Sequence, residues 1–185
     1  MKTTVRTHKI PGYGATLRTS KRLTEQAVKV VHRAVPGSMP DVEVILTSER
    51  GMAECVAAAH LALAGSLGRS VVRRAEGRGK QTARDAHACA IPRPDGSALV
   101  IVNVNHLPAP SEFARIIVHE LVHCMQFSRK DVADEYVSAV REGLGIERRS
   151  RRQRRGYDRM VQQDEYEAYG REYLADQLIP GATAA

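Results

Sequence analysis

The chain has 185 residues, 43% of them hydrophobic and 26% charged, the composition of an ordinary globular domain long enough to bury a real core. Its 28 Lys and Arg against 21 Asp and Glu leave a formal net charge of +7, and Arg148, Arg149, Arg151, Arg152, Arg154 and Arg155 crowd one short stretch. Three cysteines without close ligand spacing exclude a disulfide framework, no apolar run reaches the length of a membrane span, and the polar amino-terminal residues carry no secretory signal, so a cytoplasmic protein with reduced thiols is expected.

Residues 1–20 are polar and glycine-containing and read as an irregular arm; residues 21–180 read as one domain. Leu23, Ala27, Val30, Val31 and Ala34 recur at helical spacing, with Ser20 or Thr24 as cap and Pro36-Gly37 as stop. Residues 41–47 alternate and are β-branched, which predicts a strand. An alanine-rich helix is expected over 52–67, closed by Gly65 and Gly68, and the basic segment 70–86 reads as a loop or hairpin tip. A short strand at 87–91, the turn Pro92-Arg93-Pro94-Asp95-Gly96 and a dense β-branched strand at 98–104 predict a hairpin. Pro108 and Pro110 stop that strand, and Ser111-Glu112 open a helix running to about residue 128. Two further helices are predicted over 131–143 and 158–178.

The chemistry is concentrated in the helix that follows the hairpin. Four helical residues advance roughly 6 Å and return to the same face, so the imidazoles of His119 and His123 can reach one ion. Zinc suits such a nitrogen pair, since it accepts imidazole in tetrahedral geometry. Glu120 sits beside that ion, where it can take a proton from a water acidified by the metal. Ile116, Ile117, Val118, Leu121 and Val122 make the helix apolar nearly all round. Polar groups inside so apolar a helix need a compensating partner, and a metal is one.

A catalytic zinc needs a third protein ligand. No histidine follows His123, so a downstream carboxylate is expected. Glu142 faces away from the stripe formed by Ala133, Tyr136, Val137, Val140 and Leu144. Glu165 shares a face with Val161, Ala168, Tyr169 and Glu172, whereas Glu167 lies on the opposite side. The face argument favours Glu165 and keeps Glu142 and Glu167 as alternatives.

The segment His119-Glu120-Leu121-Val122-His123, followed by Gln126 and by the later Glu165-Tyr166-Glu167-Ala168, resembles the gluzincin-type metallopeptidases. It is particularly similar to small bacterial and phage-type zincin domains with an HExxHxxQ helix and a later ExEA helix. The resemblance spans about residues 98–178 and departs at Tyr169, where that family usually carries Asp. It implies an α+β, zincin-like fold for residues 21–180: a small mixed sheet, an active-site helix and a C-terminal helix carrying the third ligand. It also implies one Zn2+ per chain on His119, His123 and Glu165, with Glu120 as general base for hydrolysis of a peptide or protein substrate. Strand 98–104 would then run along the cleft as the sheet edge and could pair with an extended peptide.

Around this centre, Tyr169 is the phenol preferred as oxyanion stabiliser, Gln126 and the pair Glu112 and Arg115 share the face of His119, and His106 falls at the cleft rim. Cys124 reads as a small buried residue. A different reading makes the chain a basic protein that contacts nucleic acid or an acidic partner through Arg148 to Arg155, around a structural or vestigial zinc site. A third treats the same run as a cleavable linker for autoprocessing.

Overall fold

The computed structural model describes residues 1–11, 14–107, 109–129 and 131–183; Pro108, expected to help stop a strand, lies outside them. The chain runs β1 (Thr3–His8), α1 (Gly14–Ala34), β2 (Val42–Thr47), α2 (Glu49–Ala64), α3 (Arg69–Asp85), β3 (Ala88–Pro92) and β4 (Ala98–Asn103). It continues through α4 (Pro110–Gln126), α5 (Val132–Gly143) and α6 (Arg151–Tyr169) to a closing 3-10 segment, Glu172–Gln177. The four strands form one mixed sheet in the order β1-β2-β4-β3. β1, β2 and β4 are mutually parallel, and β3 is antiparallel to β4. The α+β class and the small mixed sheet are as expected from the sequence.

Alternation along the strands divides the core in two. Val44, Leu46, Val100 and Val102 face α1 and α4. Ile45, Leu99, Ile101 and Ile91 face α2, α3 and α5. Both sides of the sheet are therefore covered, and β4 is buried at every position, as a continuous apolar run requires. That burial corrects the expectation that strand 98–104 forms the edge. β4 lies between β2 and β3, and the edge strand of the hairpin is β3.

Three further stretches differ from the sequence reading. Residues 1–20 are not an irregular arm: Thr3–His8 pairs in parallel with β2 over six positions. α1 begins at Gly14, because Leu17 and Ser20 continue the stripe of Leu23, Ala27 and Val31 backwards. The segment 70–86 is not a loop but α3, whose buried stripe is Val71, Ala75, Gly79 and Ala83. Gly79 lets α3 lie close on α2, since a Cβ there would sit 2.2 Å from the Ala53 carbonyl oxygen. The last helix starts earlier than expected, at Arg151, because Ser150 and Gln153 form a reciprocal capping box. It ends at Tyr169, and the 3-10 segment takes over.

Candidate metal centre

α4 opens with Pro110 in its first turn and Glu112 beside it, both favourable at a helix start. It is buried through Phe113, Ile117, Val118, Leu121, Val122 and Met125. Its remaining face carries His119 and His123 toward α6. The end of α4 is fastened to α6 by polar contacts. The Gln126 amide donates to the Asp164 carbonyl oxygen at 3.0 Å and to Glu167 at 3.1 Å. Arg129 pairs with Glu167 at 2.7 Å. This clamp sets the turn of α6 that presents Glu165.

Among the described residues, His119, His123 and Glu165 form the one group of such side chains able to close on an ion, with ligand atoms within 4.8 Å of one another. The two Nε2 atoms are 3.1 Å apart, and each lies 3.5 Å from a Glu165 carboxylate oxygen. Tetrahedral zinc with bonds of about 2.0–2.1 Å spaces its ligand atoms roughly 3.3 Å apart, so the three donors fit such an ion as they stand. The opposite ring nitrogens are both engaged. His119 Nδ1 lies 3.0 Å from Glu172 Oε1, and His123 Nδ1 lies 2.7 Å from Gln126 Oε1. Each acceptor holds the ring proton on Nδ1 and leaves the Nε2 lone pair for a metal.

The alternatives to Glu165 are occupied elsewhere. Glu142 accepts from Arg154 at 2.7 Å and from the Arg149 backbone amide at 3.3 Å. Glu167 is taken by Arg129 and Gln126. Glu165 is held below the usual carboxylate range by its contact with His119, against partial burial, with the charges of His123 and His119 adding to the effect. His119 loses proton affinity through burial, but Glu165, Glu120 and Glu172 more than restore it and the net shift is upward.

Glu120 is 7% exposed, and burial raises its pKa despite the two imidazoles and a hydrogen bond from the Ala90 backbone. A carboxyl group with raised proton affinity next to a metal-ready histidine pair can take up a proton and give it back. The cleft in front of it has a volume of about 540 Å³ and is bounded by residues 85–90 of the β3 edge, by α4 and by α6. The His87 carbonyl oxygen accepts from Asn103 of β4 and the Arg93 N–H donates to Ser97 just before β4, and the register alternates between them. Ala88 and Ala90 therefore turn their N–H and C=O groups toward the open edge.

The Tyr169 ring packs edge-on against His119, with centroids 4.8 Å apart, and is 63% exposed. It thus stands at the cleft mouth. His106 stacks on His87, which lines the cleft. Glu112 and Arg115 do pair, and Arg115 also reaches Glu172 at 3.2 Å. The sequence reading placed Glu172 on the face of Glu165 without a role; here it is the carboxylate behind His119. Cys124 is fully buried, as expected, and burial pushes its thiol pKa up. The arginine run is divided. Arg149 turns inward to Glu135, while Arg148, Arg151, Arg152, Arg154 and Arg155 are exposed, Arg154 pairing with Glu142 at the surface. No family model, curated protein or solved structure matches the chain, so the meaning of this centre rests on its geometry.

Proposed function

We propose that the chain is a zinc-dependent peptidase of zincin-like design, with His119, His123 and Glu165 as ligands and Glu120 as the proton-transfer group. The observation that supports it most directly is the set of Nε2 and carboxylate distances at tetrahedral spacing, with a buried Glu120 alongside. Bound zinc would supply a Lewis acid for a carbonyl and a means of acidifying water. The chain's own residues do the rest. Glu172 and Gln126 orient the two imidazoles. Glu120 accepts a proton and delivers it to the leaving amine. The N–H and C=O groups of Ala88 and the C=O of Ala90, without a backbone partner among the described residues, can hold an extended peptide as an added strand beside Glu120. Tyr169, whose ring packs edge-on against His119 at the cleft mouth, is the phenol this reading assigns to developing charge on the carbonyl oxygen.

Elemental analysis of the native protein should give one zinc per chain, with loss or strong weakening in His123→Ala and Glu165→Ala. Glu120→Gln should keep the metal and lose at least about a hundredfold in turnover. Native protein that takes up no zinc on reconstitution, or a Glu120→Gln variant with full activity, would sink the reading. The rival account, a polyanion-binding protein, draws on the exposed arginines at and just before the start of α6, of which Arg154 is already paired with Glu142. It predicts salt-dependent nucleic-acid binding, and absence of binding at low salt removes it. The same stretch is a capped helix start rather than an open linker, which weighs against autoprocessing there.

A further inference from the structure

On the α2 and α3 side of β3 lies a second cavity, of about 550 Å³. Its polar walls come from His60 of α2, Arg78 of α3, Tyr136 of α5, Tyr157 of α6, and Arg149 and Arg154. Cys89, Tyr136 and Tyr157 line this cavity and the metal cleft alike, so the two adjoin.

The three guanidinium groups differ in what they face. Arg149 is 5% exposed, paired with Glu135, and lies 4.9 Å from the Tyr157 ring centroid. Arg154 is paired with Glu142. Arg78 is exposed at the cavity mouth, has neither an ion-pair partner nor a side-chain hydrogen bond among the described residues, and rests over Gly143. A Cβ on Gly143 would lie 1.8 Å from Arg78 Nη1, so the absence of a side chain there gives the guanidinium its seat. Two acidic residues also line the cavity. Glu142 is occupied by Arg154, and Asp158 is exposed.

The inner wall carries an unmet need of its own. His60 is 5% exposed; its Nε2 is 3.4 Å from the Tyr136 hydroxyl, and its Nδ1 is buried without a partner among the described residues. Burial and then the nearby Arg78 charge lower its pKa to about 4, so the ring is neutral at pH 7. Burial likewise keeps the Tyr136 phenol protonated, able to donate to Nε2. In the tautomer in which Tyr136 donates to Nε2, the ring proton sits on Nδ1 as a buried donor with no acceptor among the described residues, an arrangement native structures avoid.

We propose that this cavity binds a carboxylate, with Arg78 as its counter-charge and the Nδ1–H of His60 as a directed donor. The adjoining metal cleft makes the carboxylate of a bound peptide, an acidic side chain or the chain terminus, the expected source; in that form the inference rests on the peptidase reading. Tyr157 precedes Glu165 by eight residues on α6, roughly 12 Å along the helix axis. An extended peptide covers that distance in roughly three to four residues, which sets where along the substrate an acidic residue would be selected.

The test is a titration of the full-length, zinc-reconstituted protein followed by NMR of the His60 ring nitrogens. The probes are a blocked tetrapeptide containing Glu, its Gln counterpart, and free glutarate. The Glu peptide should move the Nδ1 signal of His60 and bind about tenfold more tightly than the Gln peptide, the effect of one charge-assisted contact. Arg78→Gln should abolish the difference while leaving the remaining resonances in place. Gly143→Ala should do the same by displacing the guanidinium. Glutarate acting as strongly as the Glu peptide assigns the site to a free carboxylate; the Glu peptide acting alone assigns it to substrate. No movement of His60 with any probe, or equal responses in native protein and Arg78→Gln, overturns the proposal and leaves water as the partner of Nδ1. None of these readouts needs hydrolysis, so failure here and failure of the peptidase reading are separate results.

Discussion

His119 is steered from behind by Glu172, and Arg115 binds that carboxylate in turn. A carboxylate on Nδ1 makes the imidazole a better metal donor. Glu172→Gln keeps an acceptor oxygen but removes the charge, and zinc affinity should fall about tenfold to a hundredfold. Competition with a chromophoric chelator measures it, and unchanged affinity would show that Glu172 only packs. The residues at this scale were legible in the sequence to different degrees. His119, Glu120 and His123 follow from a spacing whose purpose is contained in five positions. The grouping of Glu165 with these histidines follows from helical phase, because α6 is regular up to Tyr169. The role of Glu172 did not follow, since it lies beyond Gly170 in a 3-10 segment with a different period. The cavity around His60 was also invisible, because its walls come from four helices and a strand far apart in sequence.

The elements that were missed share a cause: their buried faces are built from small or polar residues. α3 packs through Ala75, Gly79 and Ala83 with one Val, which reads as glycine-rich basic loop. β1 alternates with Thr in place of larger apolar residues, and its existence depends on β2 beside it. The strongly apolar β4 and the alternating β2 needed no such context. α6 was recognised but started late, since its first turn is arginine, a poor fit to the positive end of the helix dipole. The capping box at Ser150 and Gln153 satisfies the first amides of that turn. Ser150→Ala should therefore cost about 1 kcal/mol, visible as a lower midpoint in urea. Zinc affinity should change little, because Gln126 and Arg129 hold the other end of α6 independently. A large loss of zinc in Ser150→Ala would mean that the whole helix, rather than its last turns, sets the ligand geometry.

Across the molecule, the sheet separates two layers with different dependence on pH. The candidate metal centre lies on the α4 side, and His60 is buried on the α2 side. In the fold, burial and the Arg78 charge keep His60 neutral down to a pKa of about 4, whereas the unfolded chain protonates it near the ordinary value of 6.5. The unfolded state therefore binds the extra proton first as pH falls. The His60 contribution to stability is intact above about pH 6.5 and is lost progressively as pH drops toward about 4. Full loss is on the order of 3 kcal/mol, since each tenfold difference in proton affinity between the two states is worth about 1.4 kcal/mol. His119 acts with the opposite sign in metal-free protein, since its raised pKa adds stability in acid. Denaturant unfolding of the metal-free protein at pH 7.5 and pH 5, with His60→Gln beside it, separates the two. The variant leaves His119 untouched, so the extra acid sensitivity of the native chain over the variant belongs to His60. Identical pH dependence in both proteins would mean that His60 takes up its proton as readily in the fold as in the unfolded chain, and it would withdraw the buried donor on which the carboxylate cavity depends.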